Sequence, residues 1–153
     1  MKGNNMLRIF IGYDSREHVP YEVCKHSIRR HSSAPVDIIK LEHRELRRQG
    51  LFDRPWNIQG DGQYMDVTDG RPFSTEFSHT RFLVPEICRR NGMTEGWALF
   101  VDSDFLFRSD VAELFDMVNN DYAVMCVKHD YNPKQGKKMD GMVQQNYNKK
   151  LWS

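Results

Sequence analysis

Two carboxylates one residue apart, Asp102 and Asp104, follow the apolar run WALFV at positions 97–101. Side chains alternate along an extended segment, so both carboxylates should point to the same side. Oxygen ligands that converge at the end of a buried strand suit a hard divalent cation, and such a cation most often holds a phosphate or diphosphate. The pair therefore predicts chemistry on a phosphorylated substrate. The alternative interpretation is a solvated turn at the end of a strand.

A second polar group, consisting of Gly12, Tyr13 and Asp14, follows the apolar run at 7–11. Glycine and aspartate favour turns, so an ordinary turn between a strand and a helix is one interpretation. In the functional interpretation, Tyr13 stacks on a nucleotide base and Asp14 accepts a hydrogen bond from the base or the ribose. The segment does not follow the G-x-G-x-x-G pattern, so it carries no dinucleotide-binding fingerprint.

Three further side chains are candidates for chemistry. Ser78 and Arg81 stand three residues apart and share one face of a predicted helix. The planar guanidinium of Arg81 is suited to gripping a diphosphate, although a surface ion pair would use the same side chain. His129 follows the last apolar run and is either a ligand or acceptor contact or a structural histidine.

The elements that must position these residues alternate between strands and helices. Strands are predicted at 7–11, 36–41, 97–101 and 122–127, and helices at 18–30, 42–49, 75–91 and from Asp110 onward. The apolar face of the first helix is predicted to comprise Val19, Val23, Cys24 and Ile28. Pro85 should kink or split the third helix, because proline removes a helical hydrogen bond.

This alternation predicts an α/β fold with a mostly parallel sheet and helices on both faces. Ligands of such open sheets bind beyond the carboxyl ends of the strands, so 12–14 and 102–104 should line one crevice. Proline and glycine break residues 51–73 repeatedly. We therefore expect an irregular stretch there that is functional or mobile.

The bulk composition narrows the class of protein. The 153 residues are enough for one domain, and 22 basic against 21 acidic side chains provide no overall attraction to nucleic acid or to an anionic membrane. No apolar run approaches the ~18 residues of a membrane span and no signal peptide is recognisable, so a cytoplasmic protein without an integral membrane segment is predicted. Cys24, Cys88 and Cys126 lack C-x-x-C spacing and are predicted to be buried free thiols.

Four blocks of the sequence together resemble a group of bacterial and phage glycosyltransferases with the GT-A fold, near glycosyltransferase family 8. The blocks are IFIGYDSRE at 9–17, STEFSHTRF at 74–82, WALFVDSD at 97–104 and MCVKHD at 125–130. The resemblance implies a Rossmann-like GT-A nucleotide-diphospho-sugar transferase fold, with residues 1–153 forming the donor-binding part. It also implies a metal-dependent glycosyltransferase that moves a sugar from a nucleotide-diphospho-sugar, usually a UDP-sugar, to a carbohydrate, lipid or protein acceptor.

The resemblance also implies roles for individual residues. Asp102 and Asp104 would hold Mn²⁺ or Mg²⁺ against the diphosphate, and His129 would contact the acceptor or the site. The nucleotide-sugar-binding set would be Gly12, Tyr13, Asp14, Ser78, Arg81 and Ser103. The resemblance identifies no catalytic residue in this chain.

The end of the chain departs from that group. Its members continue past the fourth strand with an acceptor-binding half and a further histidine ligand, which His129 does not match. A C-terminally truncated protein is therefore expected, with a non-catalytic nucleotide-sugar-binding remnant as one alternative. The other alternative is a haloacid-dehalogenase-like phosphohydrolase with Asp102 as nucleophile. Such enzymes normally carry threonine or valine where this chain has Leu106.

Overall fold

The computed structural model describes residues 6–127, which form two three-stranded sheets and the helices around them. The strands are β1 (Leu7–Gly12), β2 (Val36–Leu41), β3 (Trp56–Ile58), β4 (Tyr64–Asp66), β5 (Pro72–Phe73) and β6 (Ala98–Val101). The helices are α1 (His18–His31), α2 (His43–Arg48), α3 (Val84–Arg90) and α4 (Ala112–Asp116), with 3₁₀ turns at Ser15–Glu17 and Thr80–Leu83. Within the described part of the chain, no helix is long and apolar enough to span a bilayer.

The first sheet is parallel and has the strand order β2-β1-β6. Its central strand, β1, buries Ile9, Phe10 and Ile11 completely, because a strand covered on both faces has no solvent side. The predicted α/β class with a parallel sheet is confirmed for these three strands.

Separate apolar cores lie on the two faces of this sheet, because neighbouring side chains of a strand point in opposite directions. One core comprises Ile9, Ile11, Tyr21, Cys24, Ile28, Val101 and Val111. The other core comprises Phe10, Leu41, Leu46, Phe52, Val84, Ile87 and Cys88. Helix α1 contributes to the first core, and α2 and α3 contribute to the second, so helices cover both faces as predicted.

Helix α1 keeps its predicted bounds to within one residue but buries a different stripe. Tyr21, Cys24 and Ile28 face the sheet, at the i, i+3 and i+7 spacing of one helix face. Val19 and Val23 are 71% and 48% exposed, so the prediction that they face the core was wrong. The aromatic ring of Tyr21 provides the apolar surface that Val19 and Val23 were predicted to provide.

The segment predicted to be irregular, 51–73, contains the second sheet. Strands β3, β4 and β5 pair in order as an antiparallel meander. Each strand has only two or three residues, which is too short for a recognisable alternation of apolar and polar residues. Gly62 and Gly70 adopt positive φ in the two connecting turns, so the glycines that suggested an irregular stretch reverse the chain between strands.

Two predicted elements differ in the structure. The helix predicted at 75–91 is a 3₁₀ turn, Thr80–Leu83, followed by α3, in whose first turn Pro85 lies. Proline suits that position because the first amides of a helix have no intrahelical partner. The strand predicted at 122–127 is not a strand in the structure. Val124 and Val127 are 78% and 81% exposed, since this β-branched run pairs with no strand among the described residues.

The three thiols do not share one environment. Cys24 and Cys88 are buried as predicted, whereas Cys126 is exposed, so the prediction that it is buried was wrong. Cys126 lies within the run 122–127, and its exposure follows from the absence of the predicted strand there. Burial raises the pKa of the Cys24 thiol to about 11 and also raises the pKa of Cys88.

Candidate functional site

The candidate site lies at the carboxyl edge of the parallel sheet. Gly12 pairs with Leu41 on one side of β1, and Ile11 pairs with Val101 on the other. The loops that leave β1 and β6 therefore start beside each other. The chain passes from β1 to β2 on one side, while β6 lies on the opposite side of β1, so the end of β1 is a switch point of the kind at which open parallel sheets commonly bind ligands.

Gly12 is required at the end of β1 by a close contact. A Cβ atom added there would lie 2.6 Å from Cδ2 of Phe77, whose side chain is buried. Only glycine lets the phenyl ring approach the strand this closely. The predicted nucleotide contact of Gly12 remains a prediction, and the structure adds a packing reason for the residue.

Asp14 is completely buried, and both of its carboxylate oxygens accept hydrogen bonds from within the chain. Oδ1 accepts from the backbone amide and Nε of Arg16, at 3.0 and 2.9 Å. Oδ2 accepts from Nη2 of Arg16 at 2.6 Å and from the amide of Glu76 at 3.0 Å. The structure thus places Asp14 as an internal brace of the loop, where the sequence predicted a contact with base or ribose.

The charge on Asp14 is maintained by these donors. Burial disfavours the carboxylate, but the guanidinium of Arg16 and the amides of Arg16 and Glu76 outweigh it and hold the pKa of Asp14 below its usual value. Arg16 also stacks over the ring of Tyr64 at 4.4 Å and donates to the carbonyl of Ser74 at 2.8 Å. The loop after β1 is therefore fastened to the small antiparallel sheet.

Glu76 is a buried residue that the sequence reasoning did not single out. It accepts hydrogen bonds from the amide and the hydroxyl of Ser15, at 2.9 and 2.8 Å. Nε2 of His43 lies 3.8 Å from Glu76, and burial lowers the pKa of His43 despite that carboxylate. Glu76 lies within the block 74–82 that was singled out in the sequence. A single acidic residue in a polar segment does not indicate that its side chain is buried.

Tyr13 lies half-buried directly after β1. Its ring packs edge-on against Tyr21 at 5.2 Å, and its hydroxyl is 3.3 Å from Nδ1 of His18. The ammonium of Lys40 stands 4.4 Å from the centre of the ring. Tyr13 thus has a cation against its ring, and its contact with a nucleotide base stays a prediction.

Arg81 lies against the carboxylate of Asp102. Its Nη1 is 3.4 Å from Oδ1 of Asp102, and its guanidinium lies over Phe77 and Phe100, 5.3 and 5.2 Å from the ring centres. Ser78 shares no helix face with Arg81, because residues 75–79 form turns. Its hydroxyl is 2.9 Å from the Thr75 hydroxyl, so Ser78 stabilises the turn.

The segment after β6 turns immediately, which changes how its carboxylates are positioned. The strand ends at Val101 and Ser103 and Asp104 lie in a turn, so strand alternation does not orient the two aspartates as predicted. Ser103 is buried and donates its hydroxyl to Oε2 of Glu17 at 2.7 Å. Asp102 is half-buried and Asp104 is exposed, on either side of this anchored serine.

The divalent-cation site expected at Asp102 and Asp104 stays a prediction. Among residues 6–127, no cluster of three or more histidine, cysteine or acidic side chains is arranged for a metal. Mg²⁺ typically binds to one or two carboxylates and completes its shell with substrate phosphates and water, so two aspartates supply oxygen ligands of the right type and number for such an ion. His129, the predicted acceptor or site contact, lies outside the described residues.

Fold and site together define an α/β protein with a polar, loop-built site at the carboxyl edge of a parallel sheet. The chain is similar to Protein CDI of Arabidopsis thaliana, with 46% identity over 147 residues, which are 96% of this chain and 50% of Protein CDI. The chain thus spans about half the length of the curated relative it matches. No protein family model matches the chain, and no solved structure matches it.

These comparisons correct the family assignment made from the sequence. The resemblance placed the chain among the GT-A glycosyltransferases near family 8, yet the relative found is Protein CDI and no glycosyltransferase family matches. That assignment is therefore wrong. The positions of Asp102, Asp104 and Arg81 do not depend on it, since they follow from the parallel sheet and its loops.

Proposed function

We propose that this chain binds a nucleotide-diphospho-sugar, namely a UDP-sugar, through a divalent cation and transfers the sugar to an acceptor. The observation that carries the proposal is that three groups lie at or against the ends of the neighbouring strands β1 and β6. These are the carboxylates of Asp102 and Asp104, the guanidinium of Arg81, and the ring of Tyr13. A UDP-sugar needs oxygen ligands for the cation, a guanidinium that binds the diphosphate and an aromatic ring on which the base can stack.

The order of strands in the parallel sheet supports this proposal. Strand order β2-β1-β6 places the end of β1 at a switch point, the usual nucleotide site of open parallel sheets. We therefore propose a Rossmann-like nucleotide-diphospho-sugar-binding fold for the chain, and a cytoplasmic location in which nucleotide sugars are available. Nucleic acid is not proposed as a partner, because the net charge is +1.

Each residue has a definite task in the proposed transfer. Breaking the bond between the sugar and the diphosphate leaves negative charge on the departing phosphate oxygens, and the Arg81 guanidinium donates hydrogen bonds to them. Asp102 and Asp104 would hold Mn²⁺ or Mg²⁺, which when bound neutralises part of the same charge. The sugar carbon becomes oxocarbenium-like as the bond breaks, so an acceptor hydroxyl can attack it.

Calorimetric titration tests the binding half of the proposal. UDP titrated in the presence of Mn²⁺ should bind the wild-type chain, and Asp102→Asn should weaken binding roughly tenfold or more, which is a loss of about 1.4 kcal/mol or greater. Asp116→Asn is the matched control, because Asp116 is exposed on α4 and the substitution removes the same charge. Equal affinity in wild type and Asp102→Asn would contradict the proposal.

A second measurement separates transfer from binding. In the absence of an acceptor, a transferase can hydrolyse its donor slowly. Release of UDP from UDP-glucose or UDP-galactose by the wild-type chain, and its loss in Asp102→Asn, would therefore support sugar transfer. Binding with no release would favour the non-catalytic nucleotide-sugar-binding alternative. Release of phosphate from an aryl phosphate, without UDP binding, would instead favour a phosphohydrolase.

A further inference from the structure

The segment 103–107 is attached to helix α1 at two points. At its start, the Ser103 hydroxyl donates to Glu17, the residue directly before α1. At its end, the amide of Phe107 donates to the buried hydroxyl of Ser27 at 3.0 Å. The helix rises about 15 Å between the two attachments, and four extended residues span about 13 Å. The segment therefore runs along the side of α1.

Apolar side chains of both elements are exposed along this line. Phe105 and Leu106, between the two attachments, are 52% and 62% exposed, and Val19 and Val23 of α1 are also exposed. Val19, Val23 and Ser27 follow one another at four-residue intervals, so the two valines share a helix face with the serine that holds the segment. These four apolar side chains thus form one surface, which we call the α1 patch.

Two arginines flank the α1 patch near the end of the helix. Arg108 directly follows the attached Phe107, and Arg30 lies on α1 three residues beyond Ser27. Both are exposed, and within residues 6–127 neither has an ion-pair or hydrogen-bond partner. The exposed acid of the segment, Asp104, lies near the opposite end of the patch. The patch therefore combines apolar side chains with unpaired positive charge at one end.

We propose that the α1 patch docks this chain on an anionic membrane surface. Its apolar side chains are about half exposed or more, so they project from the protein and suit the fluid boundary between headgroups and acyl chains. Arg30 and Arg108 are placed to attract anionic headgroups. The net charge of +1 gives the whole chain no such attraction, so binding depends on this local arrangement. The inference goes beyond the proposed function and involves neither UDP nor a cation.

Co-sedimentation with lipid vesicles tests this docking. Wild type should bind vesicles of equal parts phosphatidylserine and phosphatidylcholine, and should bind phosphatidylcholine alone more weakly. Phe105→Gln combined with Leu106→Gln should weaken binding to the anionic vesicles about tenfold or more, because two large apolar side chains no longer leave water. Arg30→Gln combined with Arg108→Gln should weaken it about tenfold, and high salt should do the same to wild type.

Two double variants elsewhere on the surface are matched controls. Ile58→Gln with Val67→Gln removes two similarly exposed apolar side chains in and beside the small antiparallel sheet. Arg44→Gln with Arg48→Gln makes the same change in net charge at exposed positions of α2. Both controls should bind anionic vesicles as wild type does. Circular dichroism of all four double variants verifies that each is folded.

Weaker vesicle binding in both patch variants, but in neither control, supports the proposal. Absence of wild-type binding to anionic vesicles overturns it, and so does binding that is unchanged in the variant of Phe105 and Leu106. A wild-type dimer in sedimentation equilibrium that this variant makes monomeric, without vesicle binding, would overturn it in favour of a second copy. Binding of polyglutamate without vesicle binding would overturn it in favour of an acidic protein partner.

Discussion

The hydroxyl of Ser103 donates a 2.7 Å hydrogen bond to Oε2 of Glu17, two residues that are 86 positions apart in the sequence. This bond ties the turn after β6 to the 3₁₀ turn that precedes α1. Ser103 stands between Asp102 and Asp104, so the bond also holds the backbone segment that carries the two carboxylates. The two loops of the candidate site thus act as one unit.

Loss of this bond should lower the stability of the fold. We expect Ser103→Ala to reduce the free energy of unfolding by about 1 kcal/mol, since the Glu17 carboxylate loses a buried donor. Urea denaturation followed by circular dichroism measures the change. Ser109→Ala is the control, because Ser109 is exposed, and it should alter stability by less than about 0.5 kcal/mol. Equal midpoints for the two variants would show that the bond contributes nothing.

A methyl group at Gly12 should be costly because of Phe77. Gly12→Ala places a Cβ atom 2.6 Å from the buried ring, and we expect a loss of about 1–3 kcal/mol from overpacking. Gly60→Ala, where nothing lies within 4 Å, is the matched control. Adding Phe77→Leu to Gly12→Ala should recover part of the loss in the same urea assay. No recovery would place the strain elsewhere.

Asp14 should make stability depend on acid pH. Its pKa is held below the usual value in the fold, so its contribution is fully present above the unfolded pKa and is lost as pH falls below about 4. Asp14→Asn should cost about 2–3 kcal/mol at neutral pH, because Arg16 loses its buried partner. The difference between wild type and Asp14→Asn should shrink as acid is added.

Thermal unfolding at a series of pH values measures that difference. Asp53→Asn serves as the control, because Asp53 is exposed and its removal should leave the pH dependence of wild type intact. A difference between wild type and Asp14→Asn that stays constant down to pH 2.5, a value roughly 1.4 below the unfolded pKa of aspartate, would contradict the argument.

The three thiols should react at very different rates. Cys126 is exposed, whereas Cys24 and Cys88 are buried and their raised pKa values keep them protonated. A chromogenic disulfide reagent should therefore label one thiol quickly in the native chain and the other two only in denaturant. Cys126→Ser should abolish the fast phase. Fast labelling that persists in this variant would mean that a buried thiol is accessible.

Local patterns were sufficient for the elements with strong periodicity. The β-branched runs predicted β1 and β2 to within one residue, and helical spacing predicted the bounds of α1. The alternation of these elements also predicted a parallel sheet, and with it the meeting of 12–14 and 102–104 at one edge. Such predictions succeed because strand and helix propensity depend on residues close in sequence.

The sequence by itself therefore determined the parallel sheet, the helix on each face and the edge where the polar loops meet. Only the tertiary structure decided that Asp14 is an internal brace, that Glu76 is buried beneath the loop, and that Arg81 pairs with Asp102. It also decided that 122–127 pairs with no strand of the described chain. Each of these outcomes depends on partners far away in sequence, and their burial and charge are set by packing, which no local pattern contains.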